Sequence, residues 1–333
     1  MTKLDLRERS NRIKLVLAFA AVYVIWGSTY LAIKFAIETL PPLLMAGSRF
    51  LIAGAALYAW ARFKGEKHPG LISWRTGLII GGLLLLGGNG MVVLAEREVP
   101  TGLAALLIAT EPMMIVLLDW ARPGGARPGG RVALGLALGL AGMMILIGPM
   151  GLAEGGRVAP LGAALLIVAT VSWAAGSLYA ARGRSTVSPL MAAGMQMLAG
   201  GVLLTVAGML RGEASALAFG DISLRSAGAL VYLIVFGSLI AFTSYSWLLR
   251  VATPSLASTY AYVNPVVAVL LGWALAGEKL TLRTLLAAIV IVSAVVIITT
   301  HREREGGLPA SAAGEEDKRS DRFRQCIAEE AGD

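Results

Sequence analysis

The stretch that decides the fold is Pro100–Trp120, PTGLAALLIATEPMMIVLLDW, an apolar segment with the acid Glu111 at its centre and Pro112 directly after it. Its length is close to the roughly 20 apolar residues that cross a bilayer. A carboxyl group in the middle of hydrocarbon costs at least about 2.5 kcal/mol, so such groups face the interior of a helix bundle. The segment therefore predicts a membrane-spanning helix that carries a functional acid.

The sequence contains an internal repeat in two registers. Thr253–Trp273, TPSLASTYAYVNPVVAVLLGW, repeats the first stretch at an offset of 153 residues, which pairs Pro112 with Pro265 and Glu111 with Asn264. At an offset of 147 residues, LLMAGSRFLIAG (43–54) lies over LMAAGMQMLAGG (190–201). This second register matches Trp26 with Trp173 and places Arg49 opposite Gln196.

The composition and the apolar segments predict an all-α, polytopic membrane protein. Of the 333 residues, 56% are hydrophobic and only 15% charged, against about 25% charged in soluble domains. Ten spans are expected, at about Leu15–Phe35, 41–60, 76–95, 100–120, 131–149, 161–181, 189–210, 226–249, 254–274 and 281–300. The spans divide the chain into a cytoplasmic N-terminus (1–13), a first five-helix repeat (14–149), a connecting loop (150–160), a second repeat (161–300) and a disordered tail (301–333).

The basic residues predict the topology. With the N-terminus in the cytoplasm, the inside segments hold 17 Lys and Arg residues before the distal tail, and the outside segments hold 7. This asymmetry predicts that both termini are cytoplasmic. Because each repeat has an odd number of helices, the second half is expected upside down relative to the first, an arrangement known from secondary transporters.

Several classes of site and partner are disfavoured. The basic residues lie in loops between spans rather than on one face, so nucleic acid is not expected as a partner. The two histidines, His68 and His301, fall in a loop and the tail, and no metal site or cofactor is expected. The expected partners are the lipid bilayer, a small-molecule substrate and protons, and a homodimer remains open as the oligomeric state.

Three segments resemble a known family. WGSTYLAIK in the first span, TGLAALLIATEPM in the fourth and NPVVAVLLGWALAGEKLT late in the second half resemble the EamA branch of the drug/metabolite transporter superfamily. The resemblance covers about residues 14–300. It implies ten helices, cytoplasmic termini, a central cavity between the halves and export of small metabolites or amino acids across the bacterial inner membrane. Glu278 lies in the GEKLT turn before the tenth span, where we expect it to act as a helix-start partner.

Strongly polar residues at mid-membrane depth are the candidates for the translocation cavity. Arg49 and Glu111 both lie within roughly 3 Å of the midplane by helix rise, and Asn264 and Gln196 lie close to the same level. We expect Arg49 and Glu111 to pair. Two interpretations of this pair stay open: an ion pair that only fixes packing, or a pair that substrate or a proton breaks.

Prolines, amides and aromatic residues complete the candidate site. Pro112 and Pro265 remove backbone hydrogen bonds and predict kinks at the centres of their spans. Asn89 lies in a Gly-Gly-Asn-Gly run of the third span, which packing explains better than gating. Aromatic residues of several spans are expected to form an amphipathic cavity wall, namely Trp26, Trp173, Tyr245 and Tyr260.

The sequence thus predicts a secondary transporter that exports small organic metabolites by alternating access. An exchanger of phosphorylated or nucleotide-linked sugars is an alternative, but it would need several cavity cations and Arg49 is the one arginine at mid-depth. A lipid-handling membrane subunit is a second alternative. No HExxH, aspartate cluster or Ser/His pair supports an enzyme.

Overall fold

The computed structural model describes residues 13–122, 129–147, 160–182, 187–252, 257 and 260–305, and every element in those ranges is a helix. We number ten helical stretches in chain order. They are α1 (Ile13–Ala36), α2 (Pro42–Phe63), α3 (Leu71–Ala95), α4 (Thr101–Ala121), α5 (Gly130–Ile147), α6 (Pro160–Arg182), α7 (Pro189–Leu210), α8 (Leu224–Val251), α9 (Tyr260–Ala276) and α10 (Leu282–Glu305).

Seven of these helices, α1–α4 and α6–α8, are long and apolar enough to cross a membrane, which confirms a polytopic membrane protein. The described apolar stretches of α5, α9 and α10 are shorter, so their spanning stays a prediction. The predicted tail and the loop at 150–160 lie almost entirely outside the described residues.

Helices α2 and α7 pack face to face through glycines, because a glycine lets two backbones approach closely. A Cβ at Gly54 would lie 2.8 Å from the backbone nitrogen of Leu198, and one at Gly201 would lie 2.9 Å from that of Leu51. The atoms that would clash belong to the backbone, so no side-chain rotation could make room for the added Cβ. The two helices are matched in the 147-residue register of the repeat.

Three helices contain wider π-helical turns: Ala21–Ile25 in α1, Gly82–Gly90 in α3 and Leu233–Phe242 in α8. In α3 the hydroxyl of Ser172 donates to the carbonyl of Leu83 at 2.8 Å, which gives that carbonyl a partner outside its own helix. Turns of this kind are frequently found at functional sites. All three segments lie beside or within the cavity described below.

The two matched prolines act differently. α4 is interrupted at Ala109–Thr110, and a new helix begins at Glu111 with Pro112 in its first turn. A helix can accept proline in its first turn because the N–H groups there have no partner within the helix. α9, by contrast, continues as helix through Pro265. Only one of the two matched prolines is therefore accompanied by a break in its helix.

Glu278, in the loop between α9 and α10, caps the start of a helix. Its Oε1 accepts from the backbone nitrogen of Thr101 at 2.8 Å and from the hydroxyl of Thr101 at 2.7 Å, while its Oε2 accepts from the nitrogen of Gly102 at 3.2 Å. Glu278 is therefore a helix-start partner as expected, but of α4 rather than of α10. At α10 the hydroxyl of Thr281 accepts from the nitrogen of Thr284 at 3.1 Å.

Candidate functional site

A cavity with about 600 Å³ of empty space, part of it open to solvent, lies between the helices. It reaches from the middle of the bundle towards the end at which α1 and α3 finish, which we call the outer end because the predicted topology places it outside the cytoplasm. Six of the predicted site residues line it: Trp26, Arg49, Asn89, Trp173, Tyr260 and Asn264. Apolar neighbours such as Ile33, Val92 and Phe242 complete much of the wall.

Four rings form an aromatic cluster at the inner side of the cavity: Trp26 of α1, Trp173 of α6, Tyr245 of α8 and Tyr260 of α9. The centroid of Trp26 lies 5.4 Å from that of Trp173, 4.9 Å from Tyr245 and 5.2 Å from Tyr260. Edge-to-face arrangements, as between Trp26 and Trp173 at 83°, are favourable for aromatic pairs. One helix of the first half and three of the second therefore meet at Trp26.

The polar atoms of the cluster are held by hydrogen bonds. The Trp26 indole nitrogen donates to the carbonyl of Gly237 at 3.3 Å, within the π-helical turn of α8. The Tyr245 hydroxyl lies 2.7 Å from the hydroxyl of Ser177 and accepts from the Trp173 indole at 3.3 Å. Tyr245 itself is buried, so it supports the ring wall without lining the cavity.

Arg49 is buried, at 3% exposure, and is one of the residues that line the cavity. Its Nε donates to the hydroxyl of Ser238 at 2.7 Å. A Cβ at position 237 would lie 2.9 Å from its Nη2, so the glycine there makes room for the guanidinium. Nη1 has no hydrogen-bond partner among the described residues.

The predicted Arg49–Glu111 ion pair is not formed by the described side chains. Arg49 bonds to Ser238, while Oε2 of Glu111 accepts from the hydroxyl of Tyr260 at 2.8 Å. Helix rise fixes depth but not the direction in which a side chain points, so two residues at one level can face different neighbours. Among the described residues that line the cavity, Arg49 therefore has no acid beside it.

Glu111 lies behind the cavity wall. It is fully buried, it does not line the cavity, and its Oε1 has no partner among the described residues. The ring of Tyr260 does line the cavity, so this side chain connects the cavity surface to the acid. Glu111 begins the second segment of α4, where the helix N-terminus favours a negative charge.

Two amides add acceptors. Asn89 of α3 and Asn264 of α9 line the cavity, and the side-chain oxygen of each lacks a hydrogen-bond partner in the described residues. Unsatisfied buried oxygens of this kind accept hydrogen bonds from a ligand that carries N–H groups. The cavity thus offers a donor at Arg49 and acceptors at the two amides.

The remaining predicted residues lie elsewhere. Gln196 is buried beside a second cavity, which is lined by Thr76, Ser246 and Arg250 among others, and it does not line the central one. Pro112 and Pro265 are buried in their helices without lining the cavity. In the described ranges, no group of three or more His, Cys, Asp or Glu residues could hold a metal ion.

Sequence reasoning missed Tyr30, Ser238 and Glu96. Tyr30 lines the cavity four residues after Trp26, and this helical spacing could have revealed it. Ser238, the partner of Arg49, carries no signal in its own stretch because serine is common in membrane helices. Glu96 is an acid at the end of α3 that is only 4% exposed, and its position beside an apolar span was a usable signal.

The chain matches the model of the EamA-like transporter family over residues 13–148 and 160–300. It is 44% identical over 268 residues, 79% of this chain and 83% of the relative, to the uncharacterized inner membrane transporter YedA of Escherichia coli K12. It is 31% identical over 169 residues, 47% of this chain and 50% of the relative, to a protein of the same organism named a probable amino-acid metabolite efflux pump.

A solved protein structure with 24% sequence identity superposes with a TM-score of 0.62 and covers 86% of this chain and 97% of its own, which supports the fold. The family model covers nearly all of the described helices. The chain therefore belongs to the EamA-like transporter family, within the drug/metabolite transporter superfamily, and is a multi-pass membrane transporter.

Proposed function

We propose that this protein exports small organic metabolites, with apolar amino acids as the substrate class, across the inner membrane by alternating access. The observation that carries the proposal is Arg49, a cavity cation whose Nη1 has no hydrogen-bond partner in the part of the chain that the structure describes. A buried arginine is normally paired with an acid. A substrate carboxylate would supply that missing partner.

The rest of an amino acid fits the same cavity. The ammonium group would donate to the amide oxygens of Asn89 and Asn264, which have no partner among the described residues. An apolar or aromatic side chain would pack on the rings of Trp26 and Trp173. The relative named a probable amino-acid metabolite efflux pump supports this class. A phosphorylated or nucleotide-linked sugar fits less well, since Arg49 is the one basic residue in the described lining.

The inverted repeat that alternating access requires is supported by a pair of helix caps. Glu213, in the loop before α8, accepts through Oε2 from the backbone nitrogens of Leu43 at 2.9 Å and Leu44 at 3.0 Å, at the start of α2. Glu66, in the loop before α3, accepts at 2.5 Å from Ser188, the residue that caps α7. Glu66 and Glu213 are 147 residues apart, so each half holds the start of the matched helix in the other half, Glu213 directly and Glu66 through Ser188. Cytoplasmic termini are part of the same proposal.

Ligand binding to the purified protein tests the substrate class, because Trp26 and Trp173 line the cavity and their fluorescence reports occupancy. We expect phenylalanine or leucine to bind at least about tenfold more tightly than the matching amine without a carboxylate, a difference of about 1.4 kcal/mol. Arg49→Gln should remove this discrimination. Equal affinity of the wild type for the amino acid and the amine would overturn the assignment.

A further inference from the structure

Glu96 is a buried acid that the proposed translocation path does not use. It follows the last residue of α3 at the outer end and is only 4% exposed. Neither carboxyl oxygen has a hydrogen-bond partner among the described residues. A buried carboxylate without a partner is costly, so a carboxyl in this setting is stable in its neutral, proton-bearing form.

Charged groups from two other elements act on Glu96. Lys34 of α1 and Glu278 of the α9–α10 loop both interact with it electrostatically, and Glu96 in turn acts on the Tyr30 hydroxyl of α1. Its chain neighbours Arg97 and Glu98 are exposed. The described outer parts of α2 and α6, which also pack on α3, carry no ionisable side chain here.

The Lys34–Glu278 pair is the contact that a charge on Glu96 would disturb. The ammonium of Lys34 lies 2.7 Å from Oε1 of Glu278. That oxygen also accepts both hydrogen bonds of Thr101 at the start of α4. When Glu96 is neutral, the ammonium of Lys34 stays paired with Glu278. An ionised Glu96 repels the carboxylate of Glu278 and competes with it for the ammonium of Lys34.

We propose that Glu96 is a proton-binding site at the outer end of the bundle, and that loss of its proton to the outer water draws Lys34 away from Glu278 and loosens the start of α4. Burial raises the pKa of Glu96 well above its ordinary value, the charge of Glu278 raises it further, and Lys34 lowers it. The site therefore holds its proton above the pH at which an exposed carboxyl loses one. It is separate from Glu111 and does not depend on the substrate class.

Hydrogen exchange of the full chain in lipid nanodiscs, without substrate, tests the proposal. The readout is the protection of the Thr101 and Gly102 amides, corrected for intrinsic exchange, as the pH rises from about 6 to about 9. In the wild type we expect protection to fall by about tenfold over this range. Glu96→Gln, which imitates the neutral acid, should keep the protection constant. The exposed neighbour Glu98→Gln is the matched control and should follow the wild type.

Two further variants make the result decisive. Glu278→Gln should lower the protection at every pH, which shows that these amides report the cap. Lys34→Met should reduce the pH-dependent step, because the ammonium can no longer change partners and only the repulsion between Glu96 and Glu278 remains. Constant protection in the wild type, or a wild-type step in either Glu96→Gln or Lys34→Met, would overturn the proposal. Since no substrate or transport is measured, failure here is distinguishable from failure of the proposed function.

Discussion

At the scale of single residues, Tyr260 is the link between the cavity and its acid. Its ring lines the cavity and packs against Trp26, while its hydroxyl donates to Oε2 of Glu111. A substrate that moves this ring would change the hydrogen bonding of Glu111 without touching it. Oε1 of Glu111 has no partner among the described residues and so remains available for a proton. We propose Glu111 as the group that couples export to protons.

Glu111→Gln tests this coupling, because glutamine can still accept the Tyr260 hydrogen bond but cannot bind and release a proton. We expect the acceleration of transport by a pH gradient to fall by about tenfold or more, equivalent to about 1.4 kcal/mol in the barrier. The measurement is amino-acid flux in proteoliposomes with and without the gradient. Glu98→Gln, an exposed acid, is the control. Normal gradient dependence of a correctly inserted Glu111→Gln protein would contradict the coupling role.

At the scale of helices, the glycine-rich turn of α3 is shaped by its contact with α6. A Cβ at Gly88 would lie 2.6 Å from Cε3 of Trp173, one of the rings of the aromatic cluster. The packing interpretation of the Gly-Gly-Asn-Gly run therefore accounts for this glycine. The same turn directs Asn89 to the cavity, so packing and function share one segment.

Gly88→Ala should push Trp173 out of place and destabilise the protein by about 1–3 kcal/mol, the usual cost of overpacking a core. Gly228→Ala, in the exposed first part of α8, is the matched control because a Cβ there meets nothing within 4 Å. The control should be neutral or slightly stabilising, since alanine favours helix over glycine. Thermal unfolding in detergent measures both. An unchanged melting temperature for Gly88→Ala would show that Trp173 moves without cost.

The cap of α4 by Glu278 gives a stability that depends on pH. Burial alone would raise the pKa of Glu278, but the hydrogen bonds from Lys34, Thr101 and Gly102 outweigh it and hold the pKa below the ordinary value of 4.5. A lowered pKa means that the stabilisation is complete above the ordinary value and is lost as the pH falls through the lowered one.

Glu278→Gln should therefore lower stability by about 1–2 kcal/mol near neutral pH, the magnitude of a lost helix cap. The difference from the wild type should shrink as the pH is brought below 4.5. Glu38→Gln, which breaks only the exposed pair with Arg225 at 3.4 Å, should change stability by less than about 1 kcal/mol. A deficit of Glu278→Gln that stays constant down to acidic pH would contradict the role of its charge.

At the scale of the whole molecule, sequence reasoning located most of the helices and six of the residues that line the cavity, but not the contacts that they make. The lengths of the apolar segments and the internal repeat can be read directly from the sequence. The span that contains Glu111 and the matched rings Trp26 and Trp173 could therefore be predicted. Side-chain direction depends on how helices rotate against each other. For that reason Arg49 bonds to Ser238 rather than to Glu111, and Gln196 lines a second cavity.

The two reciprocal caps allow the inverted arrangement to be tested as a property of the whole molecule. In an inverted repeat, Glu66 and Glu213 lie at opposite faces of the membrane, separated by roughly 30 Å of hydrocarbon. Glu213→Gln should cost about 1–2 kcal/mol because it weakens two backbone bonds, and Glu66→Gln should cost less because it acts through Ser188.

Sites so far apart add independently, so the double variant should equal the sum of the single ones within about 0.5 kcal/mol. Chemical unfolding of the four proteins in the same detergent measures this cycle. Glu38→Gln is the control, because Glu38 contributes only an exposed ion pair. Its difference from the wild type shows how small a change in the free energy of unfolding the measurement resolves. A coupling energy above about 1 kcal/mol would place both acids in one network. Such a result would contradict the placement of the two acids at opposite faces and, with it, the inversion on which the alternating-access mechanism rests.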